Sequence, residues 1–518
     1  MSKRTDEAGA EGEVDAPEAT EIAGASPAAH GVIYLSLATA AAIFWGYALH
    51  VVGARWLTTE DYGRFVLVLS IITWVESFQG AALSGIGKIV SEDHRRLAAA
   101  LKLAKRWFLP SGVVGGGLLL AASPLIATGL GDRALTGLLV LAAVEIPLTA
   151  VFRMTVRFSG VIRRYAMRSV IYSVYAVGRS AFGCALIVLG LGAMGGIAGQ
   201  VAATALAAGI GLYLLLGASR GLPEVDYPQM LPRSLSWAGY TMSFSVGIST
   251  LLAMDIWCVK GLMPDPVHAG FYGAAFALAR TPKFFLQAVI GAVFPRVSHA
   301  LAQGHDALAA SVAKDAFRVL IIMLVPLCVL VGESATAIIT WLFSERYAAA
   351  GGPLAVLMVA ISVYACFQLM LALLAAADRP GLRMVFALGL VPVGLALNFL
   401  LIPRYGISGA AAATLITMTI GVISLAPFIC RLTGAALPFV TFLRCGISGG
   451  LVYPAARAWS VEGWMLVPRL SLLGLAYLII LLFLGEVGRR EMRSVAGALP
   501  GPAGTFIIAL LKNRSPRE

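Results

Sequence analysis

Residues 269–297 read AGFYGAAFALARTPKFFLQAVIGAVFPRV, and only Arg280, Lys283 and Arg296 carry charge in them. The run exceeds the ~20 residues that a helix needs to cross a bilayer. An ionised side chain near the bilayer centre costs roughly 2.5 kcal/mol or more, so it faces a wet cavity or a partner and marks a transport path. Pro282, between the two inner cations, removes a helical hydrogen bond, which membrane helices accept where the freed backbone groups find other partners. The stretch therefore predicts an all-α integral membrane protein whose remaining chain sets Arg280 and Lys283 against a central anion-binding cavity. The structural alternative, in which both cations snorkel or pair locally, stays open.

Working outward, the rest of the chain has the same character. Hydrophobic residues make up 59% of it and charged residues 13%, about half the ~25% of a soluble globule. Fourteen candidate spans can be placed, at about 30–54, 60–86, 107–130, 134–155, 168–191, 193–217, 235–258, 268–295, 316–340, 351–377, 384–402, 406–430, 437–459 and 464–486. Their connections are too short for a soluble catalytic domain. Residues 1–29 differ: Lys3 and Arg4 stand against seven acidic residues, which predicts a disordered acidic tail without the apolar core of a signal peptide. The six cysteines fall in apolar segments with no CxxC spacing, so they read as small core residues.

Basic residues set the orientation. With the N-terminus inside, 28 of the 39 lysines and arginines fall on the cytoplasmic side, 8 fall outside, and Arg179, Arg280 and Lys283 are left within the membrane. Both termini are then cytoplasmic, and the +12 net charge is an inside bias rather than a nucleic-acid footprint. The basic stretch SEDHRRLAAALKLAKRW (residues 91–107) reads as a surface helix held by anionic lipid.

An internal repeat divides the chain. Gly196-Ile197-Ala198-Gly199 returns as Gly406-Ile407-Ser408-Gly409, an offset of 210, and Tyr62-Gly63 returns as Ala269-Gly270, an offset of 207. The expected organisation is a cytoplasmic tail (1–29), an N-lobe of six helices (30–217), a linker (218–234) and a C-lobe of six (235–430). Two appended helices (437–486) and a basic tail (487–518) complete it. The offset covers an even number of spans, so the lobes are parallel. Transporters built this way bind near the midplane between the halves and alternate access by rocking.

Few charges lie within the spans. Under the 207 offset Glu76 falls on Lys283, so the two are expected to face each other across the cavity and to part when an anion enters; local satisfaction in each half is the alternative. Arg179 is a second candidate cation for the cavity. Glu145 and Glu333 read as solvated or paired near helix ends. Asp255 has Lys260 five residues on, and a local ion pair explains it; coupling to a cation is the sharper alternative. Gly190-Leu-Gly192-Ala-Met-Gly195 matches GxGxxG but lies between two spans, and Gly87-Lys88 lacks the spacing of a phosphate-binding loop. The histidines show no metal-ligand spacing. No metal, cofactor or nucleic acid is expected.

Several motifs occur in a familiar order: Glu60-Asp-Tyr62-Gly63, then Asp255 followed by Gly270-Phe-Tyr272-Gly-Ala-Ala275, Pro295-Arg296, Phe343-Ser-Glu345-Arg-Tyr347, Asp378-Arg379-Pro380 and Ile402-Pro403-Arg404-Tyr-Gly406-Ile-Ser-Gly409. Over residues 30–486 the chain resembles the Wzx-type oligosaccharide flippases of polysaccharide biosynthesis, in the multidrug/oligosaccharidyl-lipid/polysaccharide (MOP) exporter superfamily. The resemblance implies two six-helix lobes plus two extra helices in the bacterial cytoplasmic membrane. It implies a polyprenyl-pyrophosphate-linked oligosaccharide as cargo and a pyrophosphate-binding role for Arg280, Lys283 and Arg179. It also implies membrane lipids, and a polysaccharide polymerase or other assembly protein, as partners. Lipid II flippases of the superfamily carry basic residues in the first span, and this first span has none. A MATE-type drug/cation antiporter would present acids to its cargo, and a membrane glycosyltransferase or polymerase would need a long outer loop.

Overall fold

The computed structural model describes residues 27–92, 97–162, 164–218, 230–433 and 438–486. The expected acidic tail up to residue 26, residues 219–229 of the expected linker, the tail 487–518, and Arg95 and Arg96 of the basic stretch lie outside the described residues.

The chain is helical throughout its described length. In the N-terminal half, α1 (Pro27–Trp56) and α2 (Thr59–Glu92) are followed by α3 (Leu97–Leu103), which runs through a π-helical turn into α4 (Leu109–Gly129). Then come α5 (Leu135–Val161), α6 (Tyr165–Leu186) and α7 (Gly192–Ala218). The C-terminal half begins with α8 (Met230–Leu262), α9 (Val267–Ala279), α10 (Pro282–Ala302) and α11 (Asp306–Glu333). It continues with α12 (Ala335–Leu342), a 3-10 turn (Glu345–Ala350), α13 (Gly351–Ala376) and α14 (Pro380–Thr433). Two last helices, α15 (Phe439–Ala458) and α16 (Leu466–Phe483), follow.

Eleven described segments are long and apolar enough to cross a membrane, against fourteen expected spans. Two of the eleven, Tyr165–Ala218 and Pro380–Leu432, are 54 and 53 residues long, and the sequence places two spans in each. Glycine breaks each one: Gly192 has φ 61° and ψ −149°, and Gly406 has φ 59° and ψ −140°. Only glycine adopts these angles without strain. The break therefore makes Gly192, not Gly196, the counterpart of Gly406, one helical turn from the register that the string match suggests. In both halves the glycine three residues on, Gly195 or Gly409, packs so closely on a carbonyl of the preceding helix (Leu186 or Leu401) that a Cβ would overlap it.

Leu125, Tyr213, Ile423 and Phe483 are exposed at the molecular surface, as suits helices whose solvent is hydrocarbon. The interior joins the halves. Trp74 of α2 donates to Thr250 Oγ1 of α8 at 2.8 Å, and Trp257 of α8 donates back to Ser70 Oγ at 2.9 Å. The α2 and α9 backbones meet at Gly63 and Gly270: a Cβ on Gly63 would lie 2.7 Å from the Gly270 nitrogen. These are the glycines of the 207-residue repeat, and contact between equivalent positions is what a pseudo-twofold axis passing between them produces.

Glu486 ties α15 and α16 to α11. It accepts from Arg318 Nε at 2.8 Å, from Arg444 Nη1 at 2.9 Å and from Thr441. Burial works against its ionisation, but the Thr441, Arg444 and Arg318 hydrogen bonds prevail and hold its carboxyl below the usual range. Glu486→Ala is expected to cost about 1–3 kcal/mol and to speed hydrogen exchange in α15 and α16 while α8 and α13 keep their protection. Uniform protection in the variant would mean that apolar packing alone holds the pair.

Candidate functional site

The helix of residues 267–302 is broken where the two cations sit. α9 stops at Ala279, Arg280 and Thr281 form a turn, and Pro282 opens α10. Proline has no N–H, so the carbonyl four residues back, that of Leu278, loses its helical donor. Thr281 repairs this, its hydroxyl donating to the Leu278 oxygen at 2.9 Å. The Tyr47 hydroxyl of α1, from the other half, lies 2.9 Å from the same Thr281 oxygen. The bend is thus satisfied locally and latched across the interface, and it projects Arg280 and Lys283 from two helix axes instead of one.

Both cations line a cavity of about 560 Å³ between the halves. Gly46, Tyr47 and His50 of α1, Trp74 of α2, Arg179 of α6 and Tyr364 of α13 are also in its wall, and no lining residue is a carboxylate. Arg280 lies over the Phe276 ring at 4.7 Å, Lys283 near the Tyr364 ring at 5.6 Å and Arg179 near the Tyr175 ring at 5.8 Å. Ring faces stabilise a cation without neutralising it. None of the three forms an ion pair with a described residue. The structure brings Arg179, Arg280 and Lys283 together in the wall of one cavity. Tyr47, His50, Trp74 and Tyr364 are lining residues that the sequence reading overlooked, because uncharged residues in an apolar run carry no positional signal.

The acidic residues are elsewhere. Glu76 does not face Lys283: it pairs with Arg153 of α5 at 2.7 Å inside the N-terminal half. Asp255 does not pair with Lys260. It is buried in the C-terminal half, away from the cavity wall, where it accepts from Asn398 at 3.0 Å, Tyr272 at 3.2 Å and Thr414. Glu145 is not at a solvated helix end; it is fully buried and accepts from Gln200 at 2.8 and 2.9 Å and from Thr204 at 3.2 Å. Gln200 and Thr414 are equivalent in the Gly192–Gly406 register, so each half buries one carboxylate on a donor of its last helix. Glu333 pairs with Arg469 of α16 at 2.7 Å.

The halves are fastened at the end that carries the α1–α2 turn. Arg55 donates to the Trp341 and Leu342 carbonyls at 2.6 and 2.9 Å, and Arg346 donates back to the Ala54 and Arg55 carbonyls, both at 2.7 Å. Asp132, in the α4–α5 connection, accepts from Arg64 at 2.8 Å and from Lys260 of the other half at 2.7 Å. Burial pushes the Asp132 carboxyl up, but Arg64 and Lys260 outweigh it and hold it below the usual carboxylate range. A depressed pKa stabilises the paired state above the ordinary value near ~4 and ceases to do so as pH falls through the lowered one. Closure at this end should therefore be insensitive to pH between about 5 and 8. Asp132→Asn leaves the buried Lys260 without its anion and is expected to cost about 1–3 kcal/mol of closure, read as a longer distance between spin labels on α2 and α9. An unchanged distance distribution would remove Asp132 from the latch.

The fold aligns with that of a lipid II flippase, MurJ, in an inward closed conformation, at a TM-score of 0.71 and 15% identity over 87% of this chain and 98% of that one. It also aligns with an inward-facing multidrug resistance MATE family transporter of the MOP superfamily, at 0.60 and 12% over 78% and 99%. The fold is therefore the one these two membrane proteins share. Residues 52–351 match the model of the polysaccharide biosynthesis protein family, and the chain belongs to that family. A curated relative, the probable low-salt glycan biosynthesis flippase Agl15 of Haloferax volcanii, is 23% identical over 245 residues, 47% of this chain and 52% of the relative. The chain spans about half the length of the curated relative it matches. Fold and family together make it a multi-pass membrane protein of the polysaccharide biosynthesis family.

Proposed function

We propose that the protein moves a polyprenyl-pyrophosphate-linked oligosaccharide from the inner to the outer leaflet of the bacterial cytoplasmic membrane by alternating access, with both termini cytoplasmic. The observation that carries this reading is the cavity of Arg179, Arg280 and Lys283 with no carboxylate in its wall. A pyrophosphate cannot enter hydrocarbon unaided, and fixed cations in a confined site stabilise it strongly. A cationic drug would meet three like charges there, which disfavours the antiporter reading. The lipid tail stays in the bilayer while the head occupies the cavity. The latch at the α1–α2 end, which the basic-residue bias puts outside, corresponds to an inward-facing state that receives cargo. Asp255, a buried carboxylate with three neutral donors, is the residue we assign to cation coupling.

A deletion strain tests the reading. Lipid-linked oligosaccharide is expected to accumulate on the cytoplasmic leaflet, with loss of surface polysaccharide. A strain with neither defect would refute it.

A further inference from the structure

A second cavity, of about 700 Å³, lies within the N-terminal half between α2, α5 and α6. Its wall is written at helical spacing. On α6, Arg168, Tyr172, Tyr175 and Arg179 fall at intervals of four, three and four, which places them on one face. On α2, Glu76, Gly80, Leu83 and Gly87 repeat the same intervals. Tyr172 lines both this cavity and the central one, and the α6 stripe runs from one to the other.

Arginine dominates the chemistry. Arg153, Arg157 and Arg168 all line the cavity, and Glu76 is its one carboxylate. Glu76 is taken by Arg153, which leaves Arg157 and Arg168 with no acidic partner among the described residues. Each guanidinium lies over a glycine. A Cβ on Gly80 would sit 3.0 Å from Arg153 Nη1, one on Gly160 would sit 3.1 Å from Arg168 Nη1, and one on Gly87 would overlap Arg157. The missing side chains leave room for the three arginines against these helices. Phe152 and Tyr175 stack at 4.4 Å beside them, an apolar face next to the charged groups. Two guanidinium groups without an acidic partner in one cavity wall, Arg157 and Arg168, have the fork geometry suited to a carboxylate or another oxyanion.

We infer that this N-terminal cavity is a second anion site, distinct from the central one, and that it receives an acidic substituent on the sugars of the cargo. The inference rests on the cargo class proposed above. Arg168 and Arg179 are eleven residues apart on one helix, about 16 Å at ~1.5 Å per residue. A pyrophosphate held at Arg179, Arg280 and Lys283 would thus leave the sugars extending along the α6 stripe, with Tyr172 and Tyr175 beneath them and Arg157 and Arg168 at the far end. The site would make the transporter selective for glycans that carry a negative charge at that remove from the lipid.

The test uses the full chain in phosphatidylcholine nanodiscs, with trigalacturonate, neutral maltotriose and inorganic pyrophosphate as probes. Trigalacturonate is expected to bind more tightly than maltotriose. Arg157→Gln with Arg168→Gln should weaken trigalacturonate about tenfold or more and shift the ratio of its affinity to that of pyrophosphate. Arg157→Lys with Arg168→Lys, which keeps both charges, should restore the preference over maltotriose. Equal affinity for the two trisaccharides, or an unchanged trigalacturonate affinity in the glutamine variant, would overturn the inference. So would loss of trigalacturonate binding when phosphatidylglycerol replaces the neutral lipid, since that would make the site a lipid headgroup site. Pyrophosphate binding that survives Arg280→Ala with Lys283→Ala would instead count against the central cavity, so the two readings fail separately.

Discussion

Arg280→Ala and Lys283→Ala are each expected to lower transport of a fluorescent polyprenyl-pyrophosphate glycan in proteoliposomes by about ten- to a hundredfold. A charge-assisted hydrogen bond contributes about 1.5–3 kcal/mol, and each ~1.4 kcal/mol is a factor of ten. The loss should appear without a loss of folded protein. Neither cation has an ion-pair partner among the described residues, so truncation leaves no orphaned carboxylate behind. Removing a confined, unpaired charge relieves desolvation and repulsion, so the thermal midpoint should hold or rise. Arg280→Lys keeps the charge but loses the planar fork, so it should retain part of the activity. A purely structural role predicts the reverse, with stability falling and transport per folded molecule unchanged. That result would remove these residues from the site.

The helical membrane architecture was legible in the sequence because a bilayer demands long apolar runs, and Arg280 and Lys283 were legible because charge is rare in them. The partners of the acids were not legible, for geometric reasons. A repeat offset identifies equivalent positions, and equivalent positions touch only near the axis that relates them. Gly63 and Gly270 lie at the crossing and touch. Glu76 and Lys283 are each thirteen residues further along, about 20 Å at ~1.5 Å per residue, and there Glu76 turns to Arg153. Asp255 and Lys260 fail as a pair because residues five apart point to different sides of a helix, whereas those three or four apart are neighbours. Lys260 is instead held by Asp132, a loop residue between spans whose environment no periodicity describes. The arginine cavity was missed for a related reason. Arg153, Arg157 and Arg168 count toward the cytoplasmic basic bias, and that count is silent about whether they face water or line a common cavity.

Gly270→Ala should have the largest effect on conformation. A Cβ there would overlap the Thr59 carbonyl and lie 2.8 Å from Thr59 Cγ2, and the opposing atoms are mostly backbone with no rotamer to escape into. Overpacking of this kind costs about 1–3 kcal/mol. The contact belongs to the closed α1–α2 end, so the cost falls on the state seen here and not on one in which the halves have parted there. A change confined to one of two states shifts their ratio by its full free energy, about five- to 150-fold here. Cysteines introduced on facing positions of α2 and α9, whose backbones meet at this end, should cross-link readily in the parent and much less in the Gly270→Ala variant. Gly291→Ala is the control, because a Cβ there meets open space. Two competing causes separate cleanly. If Gly270→Ala merely disrupts folding, both the cross-link and the thermal midpoint fall; if it biases the halves apart, the midpoint stays near the parent's while the cross-link is lost. The second outcome carries a further consequence, since apparent affinity scales with the population of the binding-competent state. A cargo taken up only in the closed-end state must then bind Gly270→Ala more weakly, in proportion to the fall in that state's population, although Gly270 is not among the residues that line the cavity.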